Sequence, residues 1–189
     1  MRGFTDGRGA ETADELWLLE HHPVYTLGRN GDPSHVLRAN GIPVVESDRG
    51  GQVTYHGPGQ LVAYTLFDLQ RLGIGVKSLV HGLERAVVRT LAGYGIQSEP
   101  REDAPGVYVA GAKIASLGLR VRNGRSFHGL SLNVAMDLAP FEAINPCGYP
   151  GLAVTQMSDL GVEVGLEEVA LSVIDQVGRE FGYGEAVGI

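Results

Sequence analysis

The chain has one cysteine, Cys147, and it stands in Asn145-Pro146-Cys147-Gly148-Tyr149-Pro150-Gly151. Two prolines and two glycines so close together exclude regular helix or strand and predict a sharp, rigid turn. A structural cysteine is ordinarily a small hydrophobe inside a core element, whereas a thiol on a rigid turn can be aimed at a ligand. With no second cysteine, an internal disulfide and a cysteine-based zinc cluster are both excluded. A buried spectator and a nucleophile remain, and the loop favours the nucleophile.

A nucleophilic thiol needs a group that generates or holds its thiolate, because a free thiol has a pKa of about 8.5. Histidine is the usual choice, and His56 and His128 are available. Lys113 is a third candidate: it follows Gly111-Ala112 and precedes an apolar strand, where a lysine without a task would be awkward. Partial burial lowers a lysine's pKa and suits it to base chemistry. Spacing alone does not choose between Lys113 and His56. His21, His22, His35 and His81 belong to no constellation, and no histidine pair has metal-ligand spacing beside carboxylates, so no metal site is expected.

The segment Arg49-Gly50-Gly51-Gln52-Val53-Thr54-Tyr55-His56-Gly57-Pro58-Gly59-Gln60 is the densest special stretch. Paired glycines let a backbone pass close to a ligand with its N–H groups turned inward. It lacks the Gly-Lys-Ser/Thr of a P-loop, and reads as a binding loop rather than a plain hairpin.

These residues must be positioned by surrounding elements. Strands are expected over residues 16–20, 24–27, 42–46, 52–54 and 61–68, with a helical turn over residues 13–17 as the alternative at the first, and residues 1–10, polar and Gly-rich, are expected to fray. Helical spacing of Val76, Leu79, Val80, Leu83, Ala86, Val87, Thr90 and Leu91 predicts one helix, stopped by Gly93 and Gly95. A second is expected over residues 166–181. Between them Asn123-Gly124 predicts a type I′ hairpin turn. Closing it there pairs Arg122 with Arg125, Gly118 with Gly129 and Ser116 with Ser131. Side chains alternate along a strand, so one face gathers Ser116, Gly118, Gly129 and Ser131. The other carries Leu117, Leu119, Leu130 and Leu132, with His128 beside Leu119. Glycines and serines pack poorly, so either another backbone crosses that patch or a ligand lies on it. The same register puts Lys113 on the leucine face. A bulge within residues 112–115, or a strand starting later, is needed to bring it to Cys147.

Composition is that of one globular domain over residues 1–189, 43% hydrophobic and 20% charged. The net charge of −7 argues against nucleic acid as partner. No apolar run approaches the roughly 20 residues of a membrane span. No signal-peptide layout opens the chain and its cysteine is unpaired, so a cytoplasmic location is expected. Residues 104–136 hold no acidic side chain but include Lys113, Arg120, Arg122 and Arg125. They form a candidate basic patch for an acidic partner, or else a solvated hairpin tip.

Four blocks carry a family resemblance: RGGQVTYHGPGQ from Arg49, GAKIASLG from Gly111, FHGLSLN from Phe127 and NPCG from Asn145. Together with Glu20-His21, Pro23 and Tyr25-Thr26-Leu27-Gly28, they resemble the lipoyl-protein octanoyltransferases over most of the chain. The resemblance implies an α+β fold, a mixed β-sheet packed against helices as in the catalytic domains of biotin and lipoate protein ligases. It implies that Cys147 carries the octanoyl group as a thioester and that Lys113 activates it, with no cofactor. Acyl-binding positions would be Arg49, Gly50, Gly51, Gln52, Val53, Thr54, Tyr55 and His56, with Ser116, Leu117, Gly118, Gly129, Leu130 and Ser131. The implied donor is octanoyl-acyl-carrier-protein. The implied acceptors are lipoyl domains of 2-oxoacid dehydrogenase complexes and the glycine cleavage H protein. Members of that family generally carry more residues before the position matching Met1, and more often proline at position 22. An ATP-dependent lipoate or biotin ligase, a thioesterase or amidotransferase, and a non-catalytic acyl-binding module are the other readings.

Overall fold

A computed structural model of the chain describes residues 1–184. Two sheets face each other. The larger has six antiparallel strands in the order β1-β5-β9-β8-β7-β6: β1 (Glu15–Leu19), β5 (Gln60–Leu66), β9 (Arg125–Asn133), β8 (Ala112–Arg122), β7 (Gly106–Val109) and β6 (Glu99–Pro100). The smaller has the order β3-β2-β4, with β2 (Val24–Leu27) parallel to β3 (Val44–Glu46) and antiparallel to β4 (Val53–His56). The expected α+β architecture is present, and the mixed pairing is confined to the smaller sheet.

Two long helices, α3 (Val76–Gly93) and α4 (Leu166–Phe181), cover one face of the larger sheet. Leu79, Leu83, Val87 and Leu91 of α3 meet Val169, Val173 and Val177 of α4 over Leu61, Ala63, Leu130 and Leu132 of the strands. Each such leucine, buried almost completely, contributes about 1.5–3 kcal/mol relative to exposure. Glu167 and Glu168 in the first turn of α4 suit the positive end of its dipole, and Gly182 closes it at φ 73°. The other face of the sheet looks toward the smaller one, whose own core joins Tyr25, Val53 and Tyr55 to Phe141 and Ile144.

The hairpin forms as the Asn-Gly turn requires. Asn123 and Gly124 have φ of 51° and 76°, and Arg122–Arg125, Gly118–Gly129 and Ser116–Ser131 are partners. Two local expectations need correction, and two strands were not anticipated. Residues 1–10 do not fray, because Arg2–Gly7 forms a short helix, α1, anchored by the next side chain. Arg8, only 5% exposed, donates to the Leu66 carbonyl at 2.7 Å and pairs with Asp14 at 2.5 Å. The apolar run ending at Asp68 is broken at Leu66, since Asp68 caps a one-turn helix, α2 (Leu69–Leu72). Finally β6 and β7, too short and Gly/Pro-rich to show periodicity, extend the sheet beyond the hairpin. No helix among the described residues is long and apolar enough to cross a membrane.

Candidate active site

Cys147 lies in a 3-10 turn, Pro146–Gly148, with φ 56° and ψ 18°. A non-glycine residue pays roughly 1 kcal/mol or more for that conformation, so the surroundings must impose it. Asn145 donates its N–H to the His35 carbonyl at 2.8 Å, and a side chain at Gly148 would press on Gln52 and the His35 ring. The rigid turn read from the prolines and glycines is therefore braced from two other loops.

Lys113 reaches it. Its Nζ donates to Cys147 Sγ at 2.8 Å and to the Pro105 carbonyl at 3.0 Å, and sits 5.3 Å from the Tyr108 ring centre. The side chain is 2% exposed. Strict alternation would have pointed it at the helices. Between β7 and β8, however, the pairing steps from Val107–Ala115 to Tyr108–Lys113, leaving Ile114 as an extra residue. Ile114 and Ala115 both enter the helix-side core, and Lys113 is turned to the opposite face. Of a bulge and a later strand start, the chain adopts the bulge. A strap from the cysteine loop fixes it: Lys113 N–H donates to Ala153 O, and Thr155 N–H to Lys113 O, at 2.8 and 2.9 Å.

Between the sheets is a cavity of about 540 Å³ with Cys147 in its wall. Arg49, Gly50, Gly51, Gln52, Val53, Thr54 and His56 line it, as do Ser116, Leu117, Gly118, Gly129, Leu130 and Ser131. Tyr55 does not: it packs on Tyr25 and Phe141 in the smaller core. The first explanation of the small-residue patch holds at one position, and elsewhere the patch borders open space. At Gly118 a backbone crosses: Gly50 N–H donates to the Leu119 carbonyl at 3.0 Å, and a Cβ on Gly118 would lie 3.1 Å from Gly50 O. Over Ser116, Gly129 and Ser131 lies the cavity. Val62 and Tyr64, opposite Ser131 and Gly129 on β5, extend its floor. Alternation along β5 against buried Leu61 and Ala63 was the signal that could have found them.

His128 corrects the register argument. It pairs with Leu119 as expected, yet its φ is 60°, which turns the ring off the leucine face. Its Nε2 contacts Asp48 at 2.8 Å, and the ring lines the cavity against Tyr64. His21 likewise lines the cavity and bonds Tyr64 Oη at 2.7 Å.

The electrostatics separate the two candidate activators. Gln60 Nε2 donates to Tyr55 O and Asn133 Oδ1, which orients its Oε1 to accept from His56 Nδ1 at 2.7 Å. His56 thus holds its proton on Nδ1. Burial, with Arg49, His21 and His128 adding to it against the Gln60 bond, pushes its pKa down to about 4. It is neutral at ordinary pH and makes no hydrogen bond to Cys147. Arg49 spends its guanidinium donors on Thr26, Gly50 and Gln52 oxygens, none of them a carboxylate. Burial lowers its pKa to about 10 while the Cys147 charge works against that.

The basic stretch is not a free patch. Arg120 pairs with Asp48 at 2.8 Å, Arg122 with Asp6 at 2.7 Å and Arg125 with Asp68 at 3.3 Å, and Lys113 is inside the site. Its acidic partners come from distant segments, which the local charge count could not reveal.

A family described as the lipoyl protein ligase A/B catalytic domain matches residues 4–178. The octanoyltransferase of Pseudomonas entomophila (strain L48) is 60% identical over 185 residues, 98% of this chain and 86% of its own length. That of Halorhodospira halophila is 61% identical over 173 residues, 92% of this chain and 80% of its own. Among solved structures, lipoate-protein ligase A bound with ATP superposes at a TM-score of 0.81 and 18% identity, covering 98% of this chain and 80% of that one. Biotin protein ligase from Aquifex aeolicus reaches 0.55 at 18% identity, covering 66% and 53%. At such identities the last two likenesses concern the fold alone.

Proposed function

The chain belongs to the lipoyl protein ligase A/B catalytic domain family, and on that premise we propose that it is an octanoyltransferase serving protein lipoylation. In this reading residues 1–189 form one catalytic domain working through Cys147 and Lys113. The observation that carries it is the 2.8 Å contact of Lys113 Nζ with Cys147 Sγ at the edge of a cavity floored by glycine and serine. The octanoyltransferase relatives near 60% identity support the acyl group.

Octanoyl-acyl-carrier-protein is the donor. The Cys147 thiolate attacks the thioester carbonyl, the carrier's C–S bond breaks, and the departing carrier thiolate takes the proton of the Lys113 ammonium. The new thioester leaves the octanoyl chain between the sheets, over Ser116, Gly129 and Ser131. Exchange of one thioester for another is nearly isoenergetic, so no nucleotide is needed. A lysine amine of a lipoyl domain, of a 2-oxoacid dehydrogenase complex or the glycine cleavage H protein, then attacks the acyl-cysteine. Its surplus proton returns to Lys113, the C–S bond breaks, and the thiolate–ammonium pair is restored. Formation of the amide drives the sequence, and Lys113 serves as acid in one half and base in the other. In this reading the enzyme works in the cytoplasm, beside its two protein substrates.

Intact mass after incubation with octanoyl-acyl-carrier-protein tests the reading. An octanoyl adduct is expected on the wild type and none on Cys147→Ser. Absence of an adduct on the wild type would overturn it, and ATP-dependent acylation surviving Cys147→Ala would favour a ligase instead.

A further inference from the structure

Glu84 of α3 is a carboxylate only 3% exposed, and nothing in the transfer chemistry above uses it. A buried carboxylate is costly unless hydrogen-bonded. Glu84 Oε1 accepts the Gly106 N–H at 3.0 Å, and Oε2 lies 3.1 Å from His81 Nδ1. The Gly106 N–H and the Pro105 C=O belong to one peptide unit, and that carbonyl accepts Lys113 Nζ at 3.0 Å. Carboxylate, peptide, ammonium and thiol therefore form one continuous chain: Glu84, Pro105–Gly106, Lys113, Cys147. Lys113 donates to no carboxylate among the described residues, so Glu84 is the anion connected to it.

The link is tight at its middle. Gly106 has φ 147°, and a Cβ there would fall 2.6 Å from Lys113 Cε and 2.7 Å from Ala115 O. Hydrogen bonds in series polarise one another: an anion on the N–H side of a peptide makes its carbonyl oxygen a better acceptor for an ammonium. The other charged or titratable groups facing this chain are His81 on α3, Tyr108 on β7 with Arg101 over its ring, and Arg49 across the cavity.

We propose that Glu84 is a positioning residue for acyl transfer, which holds the Pro105 carbonyl on Lys113 and, through that peptide, favours the ammonium–thiolate pair over the amine–thiol pair. Its part in turnover rests on the octanoyl-transfer reading; its effect on the Cys147 thiol does not.

Glu84→Gln keeps an oxygen to accept the Gly106 N–H while removing the charge and exchanging the oxygen that faces His81 for an amide NH₂, whereas Glu84→Ala removes both the charge and the acceptor. Alkylation of Cys147 by iodoacetamide, followed from pH 5.5 to 9.5, needs no acyl donor. For Glu84→Gln the profile is expected to move up by about one pH unit, so that alkylation at pH 7 slows about tenfold. Octanoyl adduct formation should slow by a similar factor at unchanged donor KM, with the thermal midpoint near wild type. Glu84→Ala should lose both rate and thermal stability. In the Lys113→Met background, Glu84→Gln should change alkylation no further, since the effect passes through the ammonium. A wild-type alkylation profile for Glu84→Gln would overturn the proposal, as would an equal slowing with and without Lys113. A wild type that alkylates as expected but takes no octanoyl group would refute the transfer reading alone.

Discussion

Replacing Lys113 by methionine tests the dyad, because the two side chains are similar in length and only the ammonium is lost. Unit charges 2.8 Å apart attract by about 6 kcal/mol at an effective dielectric of about 20, and about 1.5 kcal/mol in bulk water. The site is closed on the lysine side, 2% exposed, and open to the cavity on the cysteine side, so the lost attraction lies between those limits. At about 1.4 kcal/mol per factor of ten, and with the proton transfer lost as well, acyl-enzyme formation at pH 7 should slow about 10²–10⁴-fold. The assay is rapid-quench intact mass with octanoyl-acyl-carrier-protein between pH 6 and 9. The deficit should narrow as pH rises, because hydroxide then makes the thiolate without help from the lysine. Burying an ammonium is costly, so the thermal midpoint should hold or increase, which separates lost chemistry from lost fold. Acylation of Lys113→Met within about threefold of wild type at pH 7, with the same pH dependence, would refute the dyad.

The neutral His56 predicts a stability effect. With its pKa at about 4 in the fold against 6.5 otherwise, the unfolded chain binds the extra proton first. Stability is therefore full above about pH 6.5 and falls as pH drops toward about 4. His56→Asn should flatten part of that fall in urea titrations, and an unchanged slope would count against the buried, neutral assignment. Ser131→Leu should shorten the cavity floor and cut octanoyl transfer by about tenfold or more while sparing shorter acyl donors; an equal loss for all chain lengths would place the acyl chain elsewhere. Arg122→Glu, which only breaks a half-exposed pair with Asp6, should change the donor KM by less than about twofold, and a large rise would restore the basic-patch idea.

Local rules carried far in the hairpin. A two-residue Asn-Gly turn leaves one way to zip the strands, so Ser116, Gly118, Gly129 and Ser131 were placed on one face by counting. Counting failed at His128, where a left-handed backbone residue inside β9 breaks the alternation that the argument assumed. It also failed for charge, since Arg120, Arg122 and Arg125 meet carboxylates 72, 116 and 57 residues away in the chain. Residue spacing cannot anticipate partners that only packing brings together. The strands β6 and β7 were missed for a related reason: they are held by the sheet edge and by the Glu84 contact, not by their own side-chain pattern.

Sequence by itself singled out Cys147 as the candidate nucleophile and set the shape of its loop, because proline and glycine restrict the backbone whatever surrounds them. It determined the two long helices and the hairpin register for similarly local reasons, and the family resemblance named the Cys147–Lys113 pair. Tertiary structure decided that Lys113 touches Cys147 and His56 does not. That choice turns on one extra residue, Ile114, which enters the helix-side core and so rotates Lys113 to the cavity face. It turns equally on the Asn133 and Tyr55 contacts that orient Gln60 and keep the His56 proton on Nδ1. Both are consequences of packing between segments far apart in the chain, where burial free energy rather than residue spacing sets the outcome.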